Sequence, residues 1–535
     1  MSVDIPESVD VAIIGGGMGG LTAGALLSKA GLSVCVIEPE LRPGGYLAGF
    51  QRKKFHFDSA IHWLNQCGPG GFVHKIFGHL GNDHPTCAPL HRIRRLKTGD
   101  MDYLLTDQPD ELRESLCRDF PRSAKGLHKL FGTARVLGDR MVRYAQLNRA
   151  MDTRGLLGKA GALMKLGFWG MPFARIYKKT VVEGFNEFGL EQDLLDLWCS
   201  EIDLLSVLVP LGWAYYGDYQ APPVGGSMVF PRWLMARIRD QGGHVVLRRR
   251  VEQILLEGGR AVGVRTHKDE VVRCRYVLAA CDLETVYERM LPEGTVPQAL
   301  LDKLRKADLY PSSVTVSLAL DRPVSELGFD EELIFLADPG HERAAYSQGD
   351  PQVAGLSVLA PSFRDPELAP EGKGTLTIYC AATMDQDWKL GPDGKRTPEY
   401  KSTKLAYADV LIDRVGKALS PGLREHIEFV DVATPITHWR YTHNRGGSIM
   451  AARPNKTNIK ARVAHYRTPV PNLFLSGHWA EYGGGVPIAV KAASNAALLV
   501  LKQEGHPGFK ELAKVMDSPD VRGSYRPGPR ALTST

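Results

Sequence analysis

A glycine-rich turn near the N-terminus most constrains what this chain can fold into. Residues 9–14, VDVAII, have the β-branched pattern of a buried strand, and LTAGALLSKAG after Gly20 has the pattern of a helix. Between them, Gly15, Gly17 and Gly20 occupy the GxGxxG spacing. The first glycine permits a tight turn, the second lets the backbone approach a pyrophosphate, and the third lets the helix pack closely on the strand. The pattern predicts a Rossmann-like dinucleotide site, with the pyrophosphate at the N-terminal end of the helix.

A second strand pattern, LSVCVIE, supports this interpretation because it ends on an acidic residue. Glu38 follows the glycines by roughly twenty residues, at the position where an acid binds the ribose hydroxyls of a dinucleotide. A lone GxGxxG is weak evidence, but here it stands within a strand, turn, helix and strand. At this point the residues indicate a dinucleotide and leave both FAD and NAD open.

The residues after Glu38 carry a resemblance to a known family. A glycine pair, Gly44-Gly45, follows Arg42, and the segment 57–62 has the sequence FDSAIH. Here the chain resembles the flavin-dependent desaturase superfamily: phytoene desaturases, carotenoid isomerases, retinol saturases and, more distantly, amine oxidases. In that family an Arg and a Gly-Gly pair run along the FAD, and a Phe-Asp-x-Gly-like segment follows. Ala60 stands where the family usually has Gly, and the Ile-His ending resembles the retinol saturase branch.

Two later stretches extend the resemblance. Residues 225–228, GGSM, open a helix that is followed by strands, which is the family's order for the segment whose backbone pairs with adenine, near Val251. The second stretch is a strand ending at Gly477, followed by GGGVP at 483–487 and a long apolar helix. The carotenoid branch has GGG-hydrophobic-Pro-Gly there, and Ile488 replaces its last glycine.

The start of that last helix is suited to a flavin. Its free N–H groups can hold the negative charge that reduced flavin develops at N1 and O2. The resemblance therefore implies FAD as the cofactor, with cofactor contacts at Gly477, Gly485, Val486 and Pro487 as well as the N-terminal residues. A second GxGxxG that opens a helix is missing, so oxygen, a quinone and loosely docked NAD(P) all remain open as the electron partner.

The implied fold is α/β: a Rossmann-like FAD-binding domain with a mixed α+β substrate domain of an antiparallel sheet and a helical insert. The predicted parts are a discontinuous FAD-binding domain of residues 1–95, 223–299 and 463–510, a helical substrate or membrane-facing insert of residues 96–222, and a substrate-domain sheet of residues 300–462. A tail at 515–535, rich in Pro, Gly and Ser, is predicted to be disordered.

The helical insert contains a stretch whose composition admits two interpretations. Residues 154–179, RGLLGKAGALMKLGFWGMPFARIYKK, are apolar with regularly placed Lys and Arg, and include Phe168 and Trp169. This composition is typical of an interfacial helix that buries one face in lipid and keeps its cations at the headgroups. The alternative is a helical lid over the substrate pocket, and the sequence leaves both open.

Three side chains are candidates for handling protons: His62, Glu481 and Tyr482, because the segments that carry them are expected close to the flavin. Flavin chemistry needs little else from the protein, since the cofactor exchanges hydride while the site supplies orientation, dryness and charge. Each candidate also has a structural interpretation, His62 as a buried histidine and Glu481 as a partner of an arginine. The histidines form no HExxH or similar spacing, so no metal site is expected.

Three function classes follow from the resemblance. The favoured one desaturates, saturates or isomerises C=C or C–C bonds of a long apolar polyene or isoprenoid, such as a carotenoid or retinoid. The alternative is an amine or amino-acid oxidase, which usually places an aromatic beside the last helix, where this chain has the stretch 483–487. A flavin-binding escort without activity is the third.

Composition bounds the setting in which the protein works. A net charge of +6 over 535 residues is too dilute to imply nucleic acid, although it permits weak attraction to an anionic membrane. The eight scattered cysteines form no CxxC pair, which is reduced, cytosolic usage. The polar, acidic start MSVDIPESVD has no secretory character. We therefore expect a cytoplasmic protein, with peripheral contact to a membrane as the open alternative.

Overall fold

A computed structural model of the chain describes residues 5–59, 61–144, 148–392 and 394–518. The strands within these ranges are β1 (Ser8–Ile14), β2 (Val34–Ile37), β3 (Phe50–Arg52), β4 (Phe55–Phe57), β5 (Arg92–Thr98), β6 (Met101–Thr106), β7 (His244–Val246), β8 (Val251–Glu257), β9 (Arg260–Thr266), β10 (Val271–Ala279), β11 (Ser312–Leu320), β12 (Leu333–Ala337), β13 (Leu356–Leu359), β14 (Gly374–Ala382), β15 (Ile427–Ala433) and β16 (Leu473–Leu475).

The helices alternate with these strands, and short 3₁₀ turns connect many of them. In chain order they are α1 (Met18–Lys29), α2 (Phe72–Leu80), α3 (Pro109–Asp119), α4 (Ala124–Tyr144), α5 (Leu156–Ile176), α6 (Val181–Phe188), α7 (Leu204–Tyr215), α8 (Val229–Asp240), α9 (Leu283–Thr285), α10 (Gln298–Arg305), α11 (Pro398–Leu419), α12 (Pro435–Thr442), α13 (Lys456–Ala461), α14 (Val486–Gln503) and α15 (Gly508–Asp517).

The first sheet assembles three separated parts of the chain. Strands β7, β2, β1 and β10 lie side by side and parallel, and the C-terminal half of β10 pairs in parallel with β16. The N-terminal half of β10 pairs instead with β9, which leads antiparallel to β8. The core residues of β1 are buried on both faces: Val11 and Ile13 pack with α1, α8 and α14, while Ala12 and Ile14 pack in a second cluster with residues of β8 to β10. The carboxyl ends of β1, β10 and β16 therefore meet at one edge.

The second sheet is mostly antiparallel and has the order β15-β11-β14-β13-β12-β5-β6. Its strands β11 and β14 are buried along almost their whole length, because α11 packs on this sheet and the β3–β4 hairpin also contacts it. The pairing of β12 with β5 is the parallel exception. The two sheets and the helices α3 to α7 make up the mixed α/β fold that the resemblance implied.

The observed elements depart from the predicted boundaries at two points. The insert expected to be helical from residue 96 begins inside β5, because β5 and β6 form a hairpin that extends the second sheet. The tail expected from residue 515 begins inside α15, which continues to Asp517, and residues 519–535 lie outside the described ranges. Among the described residues, no helix combines the length and the apolarity that crossing a membrane requires.

Candidate functional site

In the first glycine turn, Gly15 and Gly20 have no room for a side chain. Gly15 has φ +103°, and its N–H donates to the carbonyl of Ile37 at 2.9 Å. A Cβ built on Gly20 would lie 1.9 Å from the carbonyl oxygen of Gly15, so the start of α1 rests directly on the end of β1. The third glycine of the fingerprint thus has the packing role that the spacing predicts.

The three strand ends are joined at this turn by backbone contacts. Ala280 N–H donates to Ile14 at 2.8 Å, and Ser476 N–H donates to Ala279 at 2.8 Å. A Cβ on Gly19 would lie 2.4 Å from the carbonyl oxygen of Ser476. The predicted residue Gly477 therefore stands beside the fingerprint. Sequence reasoning assigned no role to Ala280 or Ser476, although both lie in or directly after recognised strand patterns.

Glu38 lies buried at the end of β2 and is tied to the turn. Its carboxylate accepts from Gly16 N–H at 2.6 Å and from Glu40 N–H at 3.0 Å. Burial raises the pKa of this carboxyl, and the two N–H donors oppose the rise. Each oxygen keeps a lone pair that a ribose hydroxyl can use, so the residue fits the predicted role.

The second glycine pair lies against the first turn. Gly44 N–H donates to Gly16 at 2.7 Å, and Gly44 forms a parallel bridge with Gly17, which its φ of +125° permits. Arg42 is exposed and donates to the carbonyl of Gly49 at 3.2 Å. Val251 is buried at the start of β8, two residues after Arg249, whose N–H donates to the carbonyl of Glu38 at 2.9 Å. Gly44 thus lies directly against the first glycine turn, and the segment that leads into Val251 contacts Glu38.

The helices α1 and α14 both begin without a side-chain cap from any described residue. Gly17 precedes α1, and Gly485, with φ +86°, precedes α14. Val486 is the first residue of α14, and Pro487, the second, has no N–H to satisfy. The first-turn N–H groups are therefore open to the pyrophosphate and to a flavin carbonyl. Together with the buried carboxylate of Glu38, these donors fit FAD.

Two of the predicted proton-handling residues are engaged in other contacts. Glu481 accepts a hydrogen bond from Tyr466 and an ion pair from Lys491 at 3.1 Å. The hydroxyl of Tyr466 accepts in turn from Asn495 on α14 at 3.0 Å, and burial raises its pKa, with Glu481 adding to the rise. Tyr482 donates to the carbonyl of Asn458 at 3.1 Å. Their catalytic roles stay predictions.

His62 lines a pocket between the first sheet's loops and the second sheet. The ring of His62 lies edge-on to Tyr379 with centroids 4.1 Å apart. Burial, with a contribution from Arg94, lowers the pKa of His62 to about 4, so the imidazole is neutral at pH 7. The cavity volume is about 50 Å³, and the pocket is partly open to solvent. Neither Glu481 nor Tyr482 is among the described residues that line this pocket.

The carboxylates of Asp58 and Asp365 form another wall of this pocket, and sequence reasoning did not assign them a role. Asp58 accepts from Ser227 N–H at 3.0 Å and from Ser227 Oγ at 2.6 Å. Asp365 accepts from Gly225 N–H at 2.6 Å. Gly225 and Gly226 have φ of +88° and +83°, which holds their loop between the two carboxylates. The Phe-Asp segment and the GGSM stretch were both recognisable in the sequence. The contact between Asp58 and Ser227 was not, because the two segments are far apart in the chain.

No group of three or more His, Cys, Asp or Glu side chains within the described ranges could hold a metal ion.

A buried histidine beside the predicted flavin segment makes stability depend on pH. The ring of His438 lies near that of Tyr46, and its Nε2 forms a hydrogen bond with Ser313 Oγ at 3.1 Å. Burial lowers the pKa of His438 to about 4. Below pH 6.5 His438 is protonated in the unfolded chain, whereas in the folded chain it stays neutral down to about pH 4. This contribution to stability is therefore present above pH 6.5 and lost on acidification, by up to about 3 kcal/mol.

The measurement is urea unfolding of the protein and of His438→Gln at pH 7.5 and pH 4.5. Gln cannot titrate in this range, so we expect the stability difference between the two proteins to fall by about 2 to 3 kcal/mol at the lower pH. A difference that stays constant between the two pH values would contradict the buried, neutral imidazole.

Comparison with known proteins defines the class. The family model of flavin containing amine oxidoreductases matches residues 18–501, so the chain belongs to that family. It is an FAD-dependent oxidoreductase. The chain is 26% identical to all-trans-retinol 13,14-reductase of Danio rerio, over 88% of this chain and 83% of that protein. It is 23% identical to the chloroplastic prolycopene isomerase of Daucus carota, over 96% of this chain and 83% of that protein.

Solved structures agree on the fold. An oxidoreductase from Methanosarcina mazei matches with a TM-score of 0.57 at 19% identity, covering 92% of this chain and all of that one. A putrescine oxidase variant matches with a TM-score of 0.59 at 14% identity, covering 92% of this chain and 99% of that one. At these identities the likeness concerns the fold alone. The fold and cofactor predicted from the resemblance are confirmed.

Proposed function

We propose that this protein is an FAD-dependent oxidoreductase that acts on C=C or C–C bonds of a long apolar polyene or isoprenoid. The observation that carries the proposal is the similarity, along most of the chain, to one enzyme named for retinol reduction and one named for prolycopene isomerisation. The two relatives are named for different reactions, and both names denote polyene substrates. The proposal therefore commits to the substrate class and leaves the reaction type to experiment.

The pocket of His62 combines apolar walls, as such a substrate requires, with the polar side chains of Asp58, Glu331, Arg364 and Asp365. Its apolar lining includes Ile61, Leu90, Leu359 and Leu368. Apolar walls exclude water and bind hydrocarbon through the area they bury. The neutral imidazole of His62 adds no charge that would repel a polyene.

The chain's own residues supply binding and orientation to this chemistry. Bound FAD supplies the two-electron exchange with the substrate. The fingerprint glycines let backbone approach the pyrophosphate, Glu38 accepts from the ribose, and the open N–H groups of α14 stabilise negative charge on the flavin ring. Arg42 and Gly45 are proposed to run along the cofactor. His62, Glu481 and Tyr482 stay candidates for proton handling.

The test compares a polyene with an amine. Purified protein, with its FAD either oxidised or reduced by dithionite, is mixed anaerobically with all-trans-retinol or prolycopene in detergent, and separately with putrescine, while the flavin absorbance and the products are followed. We expect a spectral change and a converted product with a polyene and none with putrescine. Flavin reduction by putrescine alone would overturn the proposal in favour of an amine oxidase. Oxygen, a quinone or NAD(P) is then added to the reduced protein in the same cuvette, and the compound that reoxidises the flavin identifies the electron partner.

We also propose peripheral membrane contact through α5. Large apolar side chains on this helix are strongly exposed: Leu156, Leu157, Leu163, Met164, Phe168 and Met171. Because a helix turns about 100° per residue, they share one face about 140° wide. Lys159 and Lys165 flank this face on either side, while Ala162 and Ile176 are buried on the opposite side. An apolar face bordered by lysines suits the headgroup region of a lipid surface.

Substituting this face should release the protein from vesicles. Leu157→Ser combined with Met164→Ser removes apolar area that lies outside the core, so we expect flotation with anionic liposomes to fall at least tenfold while the melting temperature stays unchanged. Leu405→Ser is the matched control, because Leu405 is an exposed apolar residue on α11. Equal flotation of all variants, or none by the parent protein, would contradict membrane contact through α5.

A further inference from the structure

The two oxygens of Asp58 are in different situations. Oδ1 accepts both hydrogen bonds from Ser227, the N–H at 3.0 Å and the hydroxyl at 2.6 Å. Oδ2 makes no hydrogen bond within the part of the chain that the structure describes, and Asp58 lines the pocket together with His62. One oxygen is thus held by the protein, and the other is free to meet a substrate.

The charges around Asp58 favour its protonated form. Burial raises the pKa of this carboxyl, the carboxylate of Asp365 adds to the rise, and the two donors of Ser227 oppose it. The cation that lines the same pocket, Arg364, is paired with Glu331 at 2.5 Å. The remaining groups around the pocket are His62, which is neutral at pH 7, and the phenol of Tyr379, whose pKa is raised by burial and by Asp58.

We propose that Asp58 is the catalytic acid–base residue of this pocket and exchanges a proton with the substrate through Oδ2. The proposal rests on the proposed action on C=C bonds. Reduction of one C=C bond adds two electrons and two protons to the substrate. The electron pair and one hydrogen come as a hydride from the reduced flavin, so one proton is still needed.

Asp58 can supply that proton with a closed balance. The Oδ2–H bond breaks, a C–H bond forms, and the electron pair of the O–H bond stays on the carboxylate. The N–H and hydroxyl of Ser227 stabilise the new negative charge on the carboxylate. In the desaturating direction the same carboxylate takes a proton from carbon. His62 does not compete as the acid, because its pKa of about 4 leaves it without the second proton at pH 7.

Asp58→Asn tests the assignment, since the amide keeps an acceptor for Ser227 and has no exchangeable acid proton. We expect the variant to keep FAD, as measured by absorbance, and to lose turnover of all-trans-retinol or prolycopene by about 100-fold or more. Asp58→Glu should recover part of the rate. Glu367→Gln removes an exposed carboxylate on the neighbouring segment and should leave the rate unchanged.

Two further readouts separate catalysis from a structural role. Ser227→Ala removes a donor that lowers the pKa of Asp58, so the pH at which the rate of reduction falls should move upward. In heavy water, the product of the parent protein should carry deuterium at both carbons of the former C=C bond, because the Oδ2–H of Asp58 and the N5–H of reduced flavin both exchange with solvent. Turnover by Asp58→Asn at the parental rate, or an unmoved pH profile in Ser227→Ala, would overturn the proposal.

The infrared spectrum distinguishes this proposal from the proposed function. The FAD-loaded protein at pH 7 should show the C=O band of a protonated carboxyl, and Asp58→Asn should lack that band. Presence of the band without turnover of either polyene would contradict the substrate class and still support a protonated Asp58. Absence of the band from the parent protein would overturn the assignment of Asp58 whatever the substrate.

Discussion

Gly20→Ala is expected to abolish FAD binding and to destabilise the protein by about 4 kcal/mol or more. Its Cβ would lie 1.9 Å from the carbonyl oxygen of Gly15 and 3.3 Å from Ala280 Cβ. Backbone atoms cannot rotate away from such a contact, so α1 would have to move off the end of β1. That movement would separate the turn from the strand it rests on, which places the substitution among the largest single-residue effects.

Gly17→Ala should separate cofactor binding from folding. Gly17 has φ −74°, which alanine adopts freely, and its Cβ would meet no described atom closer than Gly45 Cα at 4.0 Å. The new methyl group would instead occupy the space through which the backbone approaches the pyrophosphate. We expect the melting temperature without FAD to be unchanged and the affinity for FAD to fall about 100-fold.

The measurements are thermal melting of the FAD-free proteins and fluorescence titration with FAD. Gly132→Ala on α4 is the matched control, because a Cβ there meets nothing within 4 Å, and alanine favours a helix by up to about 1 kcal/mol. Normal FAD binding by Gly20→Ala would contradict these assignments. So would a loss of stability in Gly17→Ala as large as the loss in Gly20→Ala.

Glu38→Ala is the second substitution with a large expected effect. It leaves Gly16 N–H and Glu40 N–H without their carboxylate acceptor and removes the acceptors for the ribose. Each unsatisfied buried donor costs about 1 to 3 kcal/mol. We therefore expect FAD affinity to fall by about 1,000-fold, together with a lower melting temperature of the FAD-free protein.

Glu38→Gln is the control for charge at the same position. The amide keeps one acceptor oxygen and is neutral, as the raised pKa of Glu38 favours, so its loss of affinity should be smaller than that of alanine. The dissociation constants come from titration of the FAD-free proteins with FAD. Parental affinity in Glu38→Ala would show that the carboxylate does not contact the cofactor.

Sequence patterns were sufficient where a function depends on neighbours in the chain. The spacing of Gly15, Gly17 and Gly20 carried the prediction of a dinucleotide, because a turn that must avoid side chains can be recognised from its glycines. The resemblance at Gly44-Gly45 and at 483–487 carried FAD and the fold class, both of which the family match confirms. The second sheet was expected as well, but the hairpin of β5 and β6 was assigned to a helical insert.

Patterns were insufficient where residues far apart in the chain meet. Glu481 and Tyr482 were chosen for their nearness to the GGGVP loop, and their contacts with Tyr466 and Asn458 could not be foreseen from spacing. Asp58 belongs to the Phe-Asp segment, but the sequence indicated no role for it, because its partner Ser227 lies 169 residues further along the chain.

By itself, the sequence determined the cofactor class, the family and the strand–turn–helix unit that begins the fold. These properties depend on local backbone sterics and hydrogen bonding, which short motifs record. Only the tertiary structure decided which side chains share the pocket: His62, Asp58 and Asp365 come together there, and Glu481 does not. Pairing of this kind depends on how both sheets pack, and burial among those elements then sets which carboxyl keeps its proton.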